Sequence, residues 1–145
     1  MDKETIKILD EFNKAIKMGE DSYAIVIEKT EDTEFKQILQ KQSEKYEEFL
    51  NYINKEYENI DRKPADTPIG QKIMGWTGIQ MNTLKDNSSS HISEMLIEGS
   101  IMGYVKCHKL INSNPDMNQD LRRQIESFCN LQTDIIKELT PFVKE

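Results

Sequence analysis

Between Ile6 and Ile27, seven residues recur at intervals of three and four: Ile6, Leu9, Asn13, Ile16, Glu20, Tyr23 and Ile27. On an α-helix that interval lines them up along one side, the seam by which a long helix packs against others. A second stripe beside it, Ile8, Phe12, Ala15, Gly19, Ser22 and Val26, widens the face, and a helix over about 2–29 is predicted. Gly19 costs a helix interior about 1 kcal/mol relative to alanine. Close approach of a neighbouring helix backbone would offset that cost. Glu20 lies in the middle of the seam, so it is expected either to ligate a cation or to have a hydrogen-bond partner, because an unpaired buried charge is too costly.

The same spacing returns three more times. Phe35, Ile38, Gln42, Tyr46, Phe49 and Ile53 predict a second helix over about 32–57, started by the cap residues of Thr30–Glu34. A turn near residue 31 would set Gln42 level with Glu20, with the Tyr46 hydroxyl and Lys45 close by. The third helix, about 91–111, carries Ile92, Met95, Leu96, Gly99, Met102, Gly103 and Leu110 on one side. A separate stripe of Ile97, Ile101, Tyr104 and His108 lies on another. A helix apolar on two sides has two faces to bury. The fourth helix, about 116–140, uses Met117, Leu121, Gln124, Phe128, Leu131, Ile135 and Leu139; Pro141 ends it, and Phe142 is expected to pack.

The second and third helices are separated by a long, different stretch. Asp61–Asp66 is polar and broken by Pro64, and Thr67-Pro68 then reads as a cap followed by proline in the first turn. A short crossover helix over about 67–84 follows, with Ile69, Ile73, Trp76 and Gln80 on one face, and Asp86–Ser90 closes it with cap and turn residues. Such a connection can climb the side of a bundle. The expected fold is therefore all-α: a four-helix bundle of two helical hairpins, in one domain spanning 1–145, joined by a long crossover that carries a short helix.

The two hairpins resemble each other. Leu39-Gln40-Lys41-Gln42 matches Leu121-Arg122-Arg123-Gln124, with Tyr46, Phe49 and Ile53 meeting Phe128, Leu131 and Ile135 at the same offset. In the helices before them, Ile16–Glu20 aligns with Leu96–Ser100, which implies an approximate two-fold. With this layout, three short motifs resemble the ferritin-like superfamily: Met18-Gly19-Glu20-Asp21, Gly75-Trp76, and Glu94-x-x-x-Glu98-Gly99. The similarity is to a bacterial branch known only as a domain of unknown function. The resemblance implies the fold and brings no activity with it.

Di-iron members of that superfamily set a Glu on each of two helices and a Glu-x-x-His on each of the other two. Here the matching inward positions of the second helix are Gln42, Tyr46 and Phe49, those of the fourth are Gln124, Phe128 and Leu131, and Ser100 stands where the repeat would put a partner for Glu20. The set around Glu20 reads as a ring of neutral polar groups, Gln42, Tyr46, Ser100 and Gln124. They suit a hydrogen-bonded carboxylate better than a cation. An alternative metal-binding or redox site is the stripe His91, Glu94 and Glu98, which falls within about 60° on one helix face and could offer ligands to a divalent ion. Against it, Glu94 also suits the helix dipole in a first turn.

Composition narrows the remaining classes. A net charge of −7 disfavours nucleic acid and anionic membrane as partners, and only Arg62, Arg122 and Arg123 supply guanidinium groups. No apolar run approaches the ~20 residues of a membrane span. Met1-Asp2-Lys3-Glu4 puts acids where a secretory signal has basic and apolar residues, which leads to the expectation of a cytoplasmic protein. A turn at Asn112–Pro115 would leave Cys129 roughly 13 Å beyond the level of Cys107 at 1.5 Å per residue, too far for a disulfide. Two packed thiols are expected instead. These readings lead to a non-catalytic, cofactor-free bundle that self-associates or binds a protein partner through its surface.

Overall fold

The computed structural model describes residues 2–62 and 84–145. Four α-helices account for most of them: α1 Lys3–Lys29, α2 Thr33–Asn59, α3 Ser89–Ser113 and α4 Gln119–Leu139, with a 3-10 turn Thr140–Phe142 behind the last. Among the described residues there is no strand. The helix ends agree with the sequence reading to within about three residues, and each start has a chemical cause. Asp2, Asp32, Ser88 and Asn118 each accept a hydrogen bond from a first-turn backbone N–H, which the helix itself leaves unpaired. α2 stops in a left-handed residue, Asp61 (φ 52°), with Asp61 N–H donating to the Glu58 carbonyl and Arg62 N–H to that of Tyr57. This is the paired-bond ending that satisfies the last carbonyls of a helix. At Pro141 the α-helix gives way to the 3-10 turn, and Phe142 packs on Phe35 with ring centroids 4.9 Å apart.

Side-chain ties at the two ends orient the helices. Tyr57 donates to Asp10 Oδ1 and Arg62 pairs with Asp10 at 3.3 Å, joining the end of α2 to the start of α1. At the opposite end Asn87 Nδ2 donates to the Lys29 carbonyl at 2.9 Å, joining the approach to α3 to the end of α1. The chain thus leaves α2 at one end of the bundle and enters α3 at the other. α1 packs on α2 and α3, and α4 on α3 and α2, so the four helices close into a bundle. The predicted crossover helix 67–84, with Trp76, lies outside the described residues except for Leu84, which is non-helical and packs on the core.

The core is a continuous apolar cluster along all four helices, from Leu9, Phe12 and Ile16 to Phe128, Ile135 and Leu139. Phe128 sits at its centre, edge-on to Phe12, Tyr46 and Phe49 with centroids 5.3 to 5.7 Å away. The buried faces are rotated slightly from the expected seams. On α1 the buried line includes Ile8, Phe12 and Val26, while Ile6, Glu20 and Ile27 are half-buried. On α2 Leu39 is buried and Ile38 half-buried. On α3 the expected core residue Met102 is 51% exposed, and Ser100 and Cys107 hold the inward line. A long helix with apolar residues on two adjoining stripes can turn about its axis by a few tens of degrees, and the volumes of its neighbours decide the angle.

Candidate functional site

Glu20 does not stand in the middle of the core. It is half-buried at the edge of α1, and the polar position of the interior belongs to Tyr23, one turn on. The Tyr23 hydroxyl donates to Gln42 Oε1 at 2.8 Å, and Gln42 Nε2 donates to Glu138 Oε1 at 3.2 Å. Gln42 is buried and Glu138 is exposed, so the amide carries a hydrogen-bonded path from an interior phenol to a surface carboxylate. The sequence sets Gln42 level with Glu20, but its partner on α1 is Tyr23, one turn on. Lys45 points to solvent.

One turn further along α2, the Tyr46 hydroxyl stands 3.3 Å from Gln132 Oε1 and 3.2 Å from Gln132 Nε2. Gln132 is buried, whereas the expected Gln124 is only half-buried. The pattern for this residue was present in the sequence: Leu121, Ile125, Phe128, Gln132, Ile135 and Leu139 form an unbroken 4-3-4-3-4 line. Gln124 falls outside that phase. Tyr46 also explains Gly19. A Cβ built there would come within 2.8 Å of Tyr46 Cζ and 2.9 Å of its oxygen, with the ring edge closer still. The neighbour that needs a glycine is an aromatic ring and not a helix backbone.

Burial pushes both phenols up: Tyr46 to about 12, with the Gln132 hydrogen bond opposing, and Tyr23 well above the ordinary value, with Tyr46 and Glu138 adding to the rise. At neutral pH the layer is therefore two neutral phenols and two amides. These groups do not fit a di-iron centre, which needs bridging carboxylates and imidazoles. Nor do they place a nucleophile against a base.

The stripe His91, Glu94 and Glu98 lies along the start of α3. His91 Nδ1 is 3.6 Å from Glu94 Oε2, and Glu98 is exposed. Among the described residues no three His, Cys, Asp or Glu side chains gather as a metal site would require. Glu94 and Glu98 do adjoin another feature, the apolar stripe that the sequence placed on a second side of this helix. Ile101 is 48%, Tyr104 37% and Val105 45% exposed, and Met102 lies beside them. The Tyr104 and His108 rings touch, with centroids 4.4 Å apart and planes tilted by 53°. Lys106 pairs with Glu11 at 2.8 Å across the antiparallel α1 and α3, a register that puts the exposed Met18 of α1 at about the level of Gly99, where the exposed row begins. None of the described helices is long and apolar enough to cross a membrane. Comparison with protein-family models, with curated proteins and with solved structures finds no match.

Proposed function

We propose that the protein is a non-catalytic helical bundle of ferritin-like layout that works by pairing with a second copy of itself through the outer face of α3. The observation that carries this reading is the row of Ile101, Met102, Tyr104 and Val105 left open to water on a helix whose opposite side is already core. Such contiguous apolar surface on a small domain marks an interaction site more often than a random exposure.

Charge supports a second copy as the occupant. Along the outer face the acids Glu94 and Glu98 precede the apolar centre, and His108 and Lys109 follow it. Two α3 helices laid antiparallel about a two-fold at the level of residue 103 set Ile101 against the second copy's Val105. The same operation sets Glu98 against the second copy's His108 and Lys109. A self-complementary patch of this kind is what an isologous interface needs.

Light scattering on size-exclusion fractions tests it. The wild-type chain is expected to run as a dimer at tens of micromolar, and Val105→Glu as a monomer with the circular dichroism of the wild type. A wild-type protein that stays strictly monomeric at that concentration refutes the proposal.

A further inference from the structure

Sulfur is unevenly placed among the described residues. Met95, Met117, Cys107 and Cys129 are buried, whereas Met18 and Met102 are 38% and 51% exposed. The two exposed methionines share one edge of the bundle. Glu11 of α1 pairs with Lys106 of α3 at 2.8 Å, which marks the rim where these helices meet. Met18 follows Glu11 by seven residues, two helical turns, and so keeps to the same side of α1. Met102 precedes Lys106 by four residues, one turn, and keeps to the same side of α3. With Met18 level with Gly99, the two methionines stand about 5 Å apart along the helix axes.

This edge borders the α3 face on which two copies would pair, and the inference rests on that reading. A two-fold at the level of residue 103 leaves Met102 one residue from the axis, so the Met102 side chains of both copies fall beside each other. Met18 of each copy flanks them. A thioether suits such a place because it is flexible, apolar and polarisable. Its sulfoxide is polar, and a polar oxygen enclosed without a donor is costly.

We infer that Met102, with Met18 beside it, is an oxidative modification site whose sulfoxide releases the second copy. The oxidant is a hydroperoxide, which reaches Met102 in the free chain that exchanges with the dimer. A lone pair of the thioether sulfur attacks one peroxide oxygen, and the O–O bond breaks. The transferred oxygen gives its proton to the departing hydroxide, which leaves as water. Sulfur loses two electrons and the peroxide gains them. An isologous interface carries each change twice, and the dimer dissociation constant is expected to rise by about tenfold or more.

The test treats the folded wild-type chain and a Met18→Leu/Met102→Leu variant with hydrogen peroxide, desalts them, and measures each dissociation constant by sedimentation equilibrium. Leucine keeps the bulk and apolarity of methionine and cannot take up the oxygen. Peptide mass spectrometry is expected to find one added oxygen on Met18 and Met102 before any on Met95 or Met117. The oxidised wild type should then dissociate with native circular dichroism, while the variant stays as dimeric as before. Methionine sulfoxide reductases should restore the wild-type constant, a readout that does not depend on the variant. A wild type already monomeric before peroxide overturns the self-association reading, and this inference falls with it. A wild type that stays equally dimeric with both sulfoxides present overturns this inference alone. So does a variant that peroxide dissociates as readily as wild type, or a constant that reduction of the sulfoxides leaves unchanged.

Discussion

Replacing Gly19 with alanine separates two opposing effects whose sizes can be worked from the structure. In a helix interior the exchange is worth about 1 kcal/mol in favour of alanine. Against that, the new methyl would overlap the Tyr46 ring, with Cζ and the hydroxyl oxygen at 2.8 and 2.9 Å. Tyr46 has little room to yield. It is 2% exposed, with Tyr23 at 5.5 Å and Phe128 at 5.7 Å, and its hydroxyl is held by Gln132. Over-packing a filled core costs about 1–3 kcal/mol. Pulling the hydroxyl from Gln132 would add about 1–3 kcal/mol for a buried amide left unpaired. The net expectation is destabilisation by about 1–5 kcal/mol, read as a lower denaturant midpoint at unchanged m-value in urea unfolding followed by circular dichroism. Repeating the exchange in a Tyr46→Leu background removes the ring, and there the alanine should recover its helical advantage. A Gly19→Ala protein more stable than wild type by about 1 kcal/mol would show that Tyr46 swings freely, and the account of this glycine would fail.

Two further outcomes follow from the same geometry. Tyr46→Phe is expected to cost about 1–2 kcal/mol by orphaning Gln132, while Tyr46→Phe with Gln132→Leu should lie close to wild type, because two apolar groups leave nothing unpaired; equal losses in the single and double variants would contradict the pairing. The phenols of Tyr23 and Tyr46 are raised in the folded state, so they hold their protons more tightly there than in the unfolded chain. Stability is then fully present below about pH 10 and falls above it. The Tyr46 contribution alone, with its value near 12, reaches roughly 2–3 kcal/mol by that pH. Absorbance near 295 nm and circular dichroism should change together in that window; phenols that all ionise near pH 10 in a chain with native dichroism would contradict it.

The exposed row on α3 and the buried layer between α1, α2 and α4 were legible to different degrees. Two apolar stripes on α3 are a property of spacing, and Ile101, Tyr104 and Val105 stand outside the core because Ile92, Met95 and Leu96 already fill it. The polar layer was found in outline, since Gln42 and Tyr46 interrupt an apolar line in a way any reading would notice. Its pairing was not. Tyr23 in place of Glu20, and Gln132 in place of Gln124, differ from the expectation by a rotation or a phase step that costs nothing until the neighbouring helix is present.

By itself the chain determines four helices, their capping residues, and which side chains avoid water, because helix periodicity and end chemistry act over a few residues. Asp2, Asp32 and Ser88 need no tertiary context to accept a first-turn hydrogen bond. Only the tertiary structure decided how the helices turn about their axes and slide past one another. A few residues of difference in where the α3–α4 turn lies is several ångströms of slide at 1.5 Å per residue. That slide sets Gly103 of α3 between Phe128 and Gln132 of α4, and the Tyr46 ring takes the space that Gly19 leaves. Close packing sets both, since a filled core admits only the rotation and register at which large and small side chains interlock.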